Sequence, residues 1–121
     1  TDAESFPLVS TRFPRLAELG AFTPRAVYSP EDVDAIVTHA RFRGVRVVVE
    51  VDLPGHSTAM SRAMPHLFIA CPPGPQGDYG GKTRILDPTL NTTYTFLDKF
   101  LGEMAGRFPD AVMHLGGDGK T

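Results

Sequence analysis

The sequence predicts an α/β fold with a parallel sheet, from two repeats of a helix running into a short apolar strand and from a long Gly/Pro-rich loop between them. The first helix is expected to open at Ser29, with Pro30 in the first turn and Glu31 and Asp32 at its positive end. Val33, Ile36, Val37 and Ala40 then recur at helical spacing, and Gly44 is the expected stop. The segment 45–51, VRVVVEV, is β-branched and nearly all apolar, the pattern of a strand buried on both faces. The second helix is predicted from about Thr92 to Phe108, capped by Asn91 or Thr92. Its stripe is Tyr94, Leu97, Phe100, Leu101, Met104 and Phe108, and Pro109 ends it. A second buried strand, AVMHL, follows at 111–115. Right-handed crossovers put both helices on one side of the sheet, which suits a barrel or an open sheet. A complete (β/α)8 TIM barrel takes about 250 residues, so a chain of 121 residues would form roughly half of one.

Two stretches are less regular. Residues 1–28 read as a loop with one helical turn over Pro14 to Leu19, ended by Gly20. Residues 52–90 read as a long loop, with a short helix over Ser57 to Met64 and a Pro/Gly patch at 72–81.

Composition narrows the function. A net charge of -2 with scattered Lys and Arg argues against a nucleic-acid or polyanion partner. No apolar run approaches the roughly 20 residues of a membrane helix, so no membrane partner is expected. No signal peptide is visible: Thr1 opens into a polar loop that reads as mid-protein. The single cysteine, Cys71, reads first as a buried thiol.

Functional groups in parallel α/β folds gather where strands end. Asp52 follows the first strand, with His56 four residues on, and Gly116-Gly117-Asp118 follows the second. Each acid alone reads as a helix cap; two on neighbouring strand ends, one beside a histidine, point to a site. Three chemistries fit: paired carboxylates at a glycosidic bond, a metal held by Asp52, His56, His114 and Asp118, or a ligand held without reaction. His114 lies inside the strand and is expected to be a hydrogen-bonded core histidine. No HxH, HExxH or CxxC spacing supports a metal, and no cofactor is expected.

The motifs then become specific. Thr1-Asp2-Ala3-Glu4-Ser5-Phe6-Pro7, Glu50-Val51-Asp52-Leu53-Pro54-Gly55-His56, Asn91-Thr92-Thr93-Tyr94 and His114-Leu115-Gly116-Gly117-Asp118 stand in this order. Together they resemble the β-N-acetylhexosaminidases of glycoside hydrolase family 20. The resemblance runs through essentially the whole chain and implies a partial catalytic barrel over 1–121, from the end of strand 2 through strand 4.

It also implies a retaining exo-hydrolase acting on terminal β-linked N-acetylglucosamine or N-acetylgalactosamine in oligosaccharides or glycoconjugates. This family is a substrate-assisted exception to the two-carboxylate scheme. Asp118 would orient the substrate acetamide, His56 and Asp2 would form a relay behind a general-acid Glu, and Asp52 would support the loop carrying His56. Glu50 receives no catalytic role. The family's Glu directly follows Gly-Gly-Asp, and here that position is Gly119, so the chain as given is expected to lack activity. The family's sugar-walling tryptophans are also missing, since the chain has Trp 0.

The resemblance further implies a glycan at the Asn91-Thr92-Thr93 sequon and a parent enzyme that is lysosomal or secreted and often dimeric. In eukaryotic relatives the counterpart of Cys71 pairs with a cysteine after the strand-four motif, a partner this chain does not contain.

Overall fold

The computed structural model describes residues 1–70 and 84–117. Cys71, the Pro/Gly patch at 72–81, Asp118 and Gly119 lie outside the described residues. The elements in order are α1 (Arg15–Gly20), α2 (Pro30–Arg41), α3 (Thr58–Ser61), a 3-10 turn at Pro65–Leu67, β1 (Phe68–Ala70), β2 (Arg84–Leu86) and α4 (Asn91–Arg107).

The α2 start follows from its sequence. Ser29 Oγ accepts from the Asp32 N–H at 3.1 Å, and the Asp32 carboxylate accepts from the Ser29 N–H at 2.9 Å. This reciprocal pair satisfies two amides that the first turn leaves open. The helix ends at Arg41, and Gly44, at φ 69, turns the chain into the next segment in the left-handed region that suits glycine. For α4, Leu90 rather than Asn91 or Thr92 stands at the cap, and no side chain caps it.

The buried face of α4 keeps Phe100, Met104 and Phe108 of the predicted stripe, with Leu97 and Leu101 packed at its edge. Thr93, Phe96, Phe100 and Met104 are buried, while Tyr94 is exposed and donates its hydroxyl to Pro88 O at 2.9 Å. The i, i+4 pair Phe96 and Phe100 stacks at 5.5 Å, Phe13 meets Phe96 edge-on at 5.0 Å, and Phe6 meets Phe100 at 5.7 Å. These rings join the N-terminal segment to α4 around Leu16, Val33, Val51 and Met60. Aromatic pairs of this kind add about 0.5–1.5 kcal/mol each beyond area burial.

The strands depart most from expectation. Segments 45–51 and 111–115 form a single parallel bridge, Glu50 to His114. Val51 N–H donates to His114 O at 2.9 Å and His114 N–H to Val49 O at 3.0 Å. The next bond, Leu53 N–H to Leu115 O at 3.0 Å, is one residue out of register, so the ladder breaks at the strand ends. Burial is also one-sided: Val49 and Val51 are buried, while Val45, Val48, Val112 and Leu115 are exposed. The helices α2 and α4 pack together and supply the core on that one side. The interval 52–90, read as mostly loop, carries α3, the 3-10 turn and the antiparallel pair β1–β2, with Ile69 opposite Ile85.

A second polar network fixes the N-terminal segment to α4. The half-buried Glu103 carboxylate accepts from Ser10 Oγ (2.6 Å), Thr11 N (2.7 Å), Thr11 Oγ1 (2.9 Å) and Arg12 N (3.3 Å). Arg107 pairs with it at 3.0 Å and also donates to Val9 O. Burial pushes the Glu103 carboxyl up, but the donors of Ser10, Thr11 and Arg12 outweigh it and hold it below its ordinary 4.5. The stabilisation is therefore complete above that ordinary value and is lost as pH falls through the lower folded value. Glu103→Gln is expected to lower stability by about 1.5–3 kcal/mol at neutral pH and to flatten the acid limb of stability against pH. Urea denaturation between pH 3 and pH 7 checks both.

Candidate active site

The strand alternation places the site. Val49 and Val51 point into the core, so Glu50 and Asp52 fall on the opposite face. Asp52 sits where 45–51 meets the corner Leu53-Pro54-Gly55-His56, whose Leu53–Pro54 peptide is cis. His56 has φ 50, a left-handed conformation costing on the order of 1 kcal/mol for a non-glycine residue. Neighbouring bonds hold it there. Ser57 Oγ lies 2.8 Å from Gly55 O, 3.0 Å from Pro54 O and 3.3 Å from Asp52 O, so its one proton is shared among three carbonyls of the corner. Pro54 O also accepts from Leu86 N–H at 3.1 Å, which ties the corner to β2.

The second corner meets the first at Asp52. One Asp52 oxygen is 2.8 Å from His56 Nδ1, and the other accepts from Gly117 N–H at 3.0 Å. Asp52 is 3% exposed, which leaves its charge poorly screened and its hydrogen bonds correspondingly strong. Burial pushes the Asp52 carboxyl up, but the Gly117 N–H and the hydrogen bond and charge of His56 prevail and hold it below its ordinary value. Asp2 stands close by, its carboxylate 3.7 Å from the same His56 nitrogen and itself accepting from Ala3 N–H at 2.5 Å.

The structure thus brings together Asp2, Asp52 and His56, with ligand-type atoms within 4.8 Å of one another. A metal there would draw on atoms already used within the protein, since both Asp52 oxygens and His56 Nδ1 are engaged. His114, included with Asp52, His56 and Asp118 in the four-ligand possibility, stands outside this trio. Nor is His114 a core residue: it is exposed, because its strand places it on the face that α2 and α4 do not cover. Its Nδ1 accepts from Gly116 N–H at 3.1 Å and lies 3.1 Å from a Glu50 oxygen. The sequence reading passed over Glu50; the signal available was its in-register place opposite His114 on the next strand. Asn91 is exposed, while Thr93 of the same sequon is 2% exposed with an unpaired hydroxyl. The grooves lined by Phe13, Met64 and Lys99 and by Arg41, Arg46 and Asp110 do not include Asp2, Asp52 or His56.

Gly116 is fixed by this geometry. Its φ is 66, and a Cβ there would stand 1.9 Å from Asp52 Oδ1. Gly116→Ala is expected to push Asp52 away from Gly117 and His56, at about 1–3 kcal/mol for the overpacking alone. Loss of the Gly117 amide's protection from hydrogen exchange, with Gly102→Ala in open space as the control, is the measurement.

Known proteins resemble this chain over nearly its whole length. The family model for "Glycosyl hydrolase family 20, catalytic domain" matches residues 1–120. The chain is 40% identical to the β-hexosaminidase subunit beta of Mus musculus over 97% of its own length, and spans 22% of that protein. Among solved structures it resembles a β-N-acetylhexosaminidase from Bacteroides fragilis, with TM-score 0.81, 34% identity, and coverage of 98% of this chain and 24% of that one. It also resembles an exo-β-N-acetylglucosaminidase from Vibrio harveyi in complex with N-acetylglucosamine, with TM-score 0.79 and 27% identity over 96% of this chain and 21% of that one. The neighbours' fold is the TIM barrel implied above, and the chain belongs to glycosyl hydrolase family 20, within its catalytic domain.

Proposed function

We propose that this chain forms the part of a (β/α)8 catalytic barrel running from the end of strand 2 through strand 4. The parent protein would be a retaining exo-β-N-acetylhexosaminidase acting on terminal β-linked N-acetylglucosamine or N-acetylgalactosamine. One observation carries the reading: a single Asp52 carboxylate joins the His56 corner to the Gly117 N–H, one residue before Asp118. Family membership and the V. harveyi relative's complex with N-acetylglucosamine support the same substrate class.

In this mechanism the substrate's acetamide oxygen attacks its own anomeric carbon while the glycosidic C–O bond breaks and a general acid protonates the leaving oxygen; water, deprotonated by the same group, then opens the oxazolinium intermediate with net retention. Asp118 orients the acetamide and stabilises the positive charge that develops near its N–H. His56, with Asp52 and Asp2 around its Nδ1, would serve a general acid at position 119. Position 119, where the family's acid follows Gly-Gly-Asp, is glycine in this chain and carries no proton for the leaving oxygen. General acid–base catalysis contributes roughly 10²–10⁴-fold, so the chain as it stands is inactive in this reading. The parent acts on oligosaccharides or glycoconjugates in the lysosome or outside the cell. Asn91 carries the glycan, attached before α4 folds, because folding buries the Thr93 hydroxyl.

The test is hydrolysis of aryl β-glycosides by the protein that contains this segment, with and without Gly119→Glu. The glutamate variant is expected to cleave the N-acetyl-β-glucosaminide faster by roughly 10²–10⁴-fold. Equal cleavage of the matching β-glucoside, which has no acetamide, would sink the substrate-assisted mechanism.

A further inference from the structure

The Gly116 amide is held by a side chain two residues back: its N–H donates to His114 Nδ1 at 3.1 Å. Nδ1 stands as many bonds from the backbone as the side-chain oxygen of an asparagine. The contact is therefore the histidine form of the short loop that asparagine makes with the amide two residues on. It needs a lone pair on Nδ1, because a ring nitrogen that carries a proton donates and cannot accept. A Glu50 oxygen lies 3.1 Å from the same nitrogen, and that contact needs the opposite state. The two partners are unequal. The His114 and Glu50 side chains are 62% and 53% exposed, so the charge contact between them is screened and weak. The amide contact is local, and the turn is fixed beyond it, with Gly116 at φ 66 and Gly117 N–H bound to the buried Asp52. Neutral His114 thus gives its Nδ1 lone pair to Gly116, and only the protonated ring pairs with Glu50. Glu50 is the titratable group paired with this ring. Asp52, next on the same face of segment 45–51, is already engaged by His56 and Gly117, and the Thr1 ammonium rests on the Glu50 carbonyl at 2.8 Å.

We propose that His114 is a positioning residue whose bare Nδ1 holds the Gly116 amide, and that protonation of the ring hands Nδ1 to Glu50 and frees that amide. The corner so held stands two residues before Asp118 in the chain. Its use, keeping Asp118 aimed at the substrate acetamide, rests on the hydrolytic reading above. The strand pairing does not depend on the ring, since Val51 N–H donates to the His114 carbonyl and the His114 N–H to Val49 O. Asparagine at 114 keeps an acceptor for the amide two residues on and has no charged form. Leucine at 114 keeps no acceptor.

The experiment follows the 121-residue chain labelled with ¹⁵N through one pH titration. Ring nitrogen shifts report the protonation of His114, and amide exchange, corrected for its intrinsic pH dependence, reports the protection of Gly116. In the unmutated chain that protection is expected to fall about tenfold as the ring takes up its proton, the loss of one hydrogen bond. His114→Asn is expected to stay protected throughout, and His114→Leu to be about tenfold less protected with no step. A Gly116 protection that ignores the His114 proton, a neutral ring with its proton on Nδ1, or a His114→Asn variant as unprotected as His114→Leu overturns the proposal. The unmutated chain and His114→Asn decide the matter even where His114→Leu fails to fold. None of these readouts needs a sugar, so their failure leaves the hydrolytic reading standing, and failure of that reading leaves the hold on Gly116 untouched.

Discussion

The buried Asp52 carboxylate is the constraint on which the rest of the site depends. Among the described residues, two strand ends, one carrying His56 and the other leading to Asp118, have the Glu50–His114 bridge and a slipped Leu53–Leu115 bond between their backbones. Backbone pairing alone would leave the turns beyond them undefined. Asp52 supplies what the ladder does not, one oxygen for each turn. A half-satisfied buried carboxylate would be a liability, because an unpaired charge costs several kcal/mol to desolvate. Full use of both oxygens is therefore also what allows a charged group at 3% exposure. Gly116 follows from the same demand: the chain approaches Asp52 so closely there that no side chain fits.

Much of this was legible in the sequence, and the reasons differ by element. Helix α2 was readable because Ser29, Pro30 and Asp32 are local signals whose bonds close within one turn. The place of Asp52 at the strand end was readable because the apolar run stops there, whereas its 3% exposure depends on the second corner closing over it. The hairpin β1–β2 was not readable, since its pairing joins residues 68–70 to 84–86 across the Pro/Gly stretch. The face of α4 was readable through Phe100, Met104 and Phe108, and misplaced at its start for a tertiary reason. Tyr94 has the hydropathy of a core residue, but Phe13 arrives from the N-terminal segment and packs on Phe96 instead. The His114 environment was misjudged for a related reason: an apolar strand suggests burial on both faces, and the described residues cover only one.

Two polar networks divide the labour of holding the N-terminal segment. Glu103, from the last turns of α4, gathers Ser10, Thr11 and Arg12 and ends the aromatic row with a directional anchor. Phe6 N–H donates to Gly20 O at 2.9 Å and Phe22 N–H to Ser5 Oγ at 3.1 Å, so α1 is tied to the stretch just before the anchor. Gly20 in turn packs where a Cβ would meet Ala59 O at 3.0 Å, three residues beyond His56. The path from Glu103 to the site is thus a chain of packed backbone, not a charge relay.

Glu50 and His114 pose a different problem from Asp52, and the contrast lies in how many proton arrangements each allows. Asp52 faces two donors with two acceptors, so its bonds are compatible in one protonation state. His114 Nδ1 faces one donor, Gly116 N–H at 3.1 Å, and one acceptor, the Glu50 carboxylate at 3.1 Å. A single ring nitrogen cannot accept from the first while donating to the second. With Nδ1 bare, the Gly116 amide is held and the Glu50 charge sits against a lone pair; with Nδ1 protonated, the pairing reverses and the amide is released. The two corners of this site are therefore held by unlike devices, one with a single self-consistent hydrogen-bond arrangement and one with two. The geometry that fixes Gly117 resides in the first.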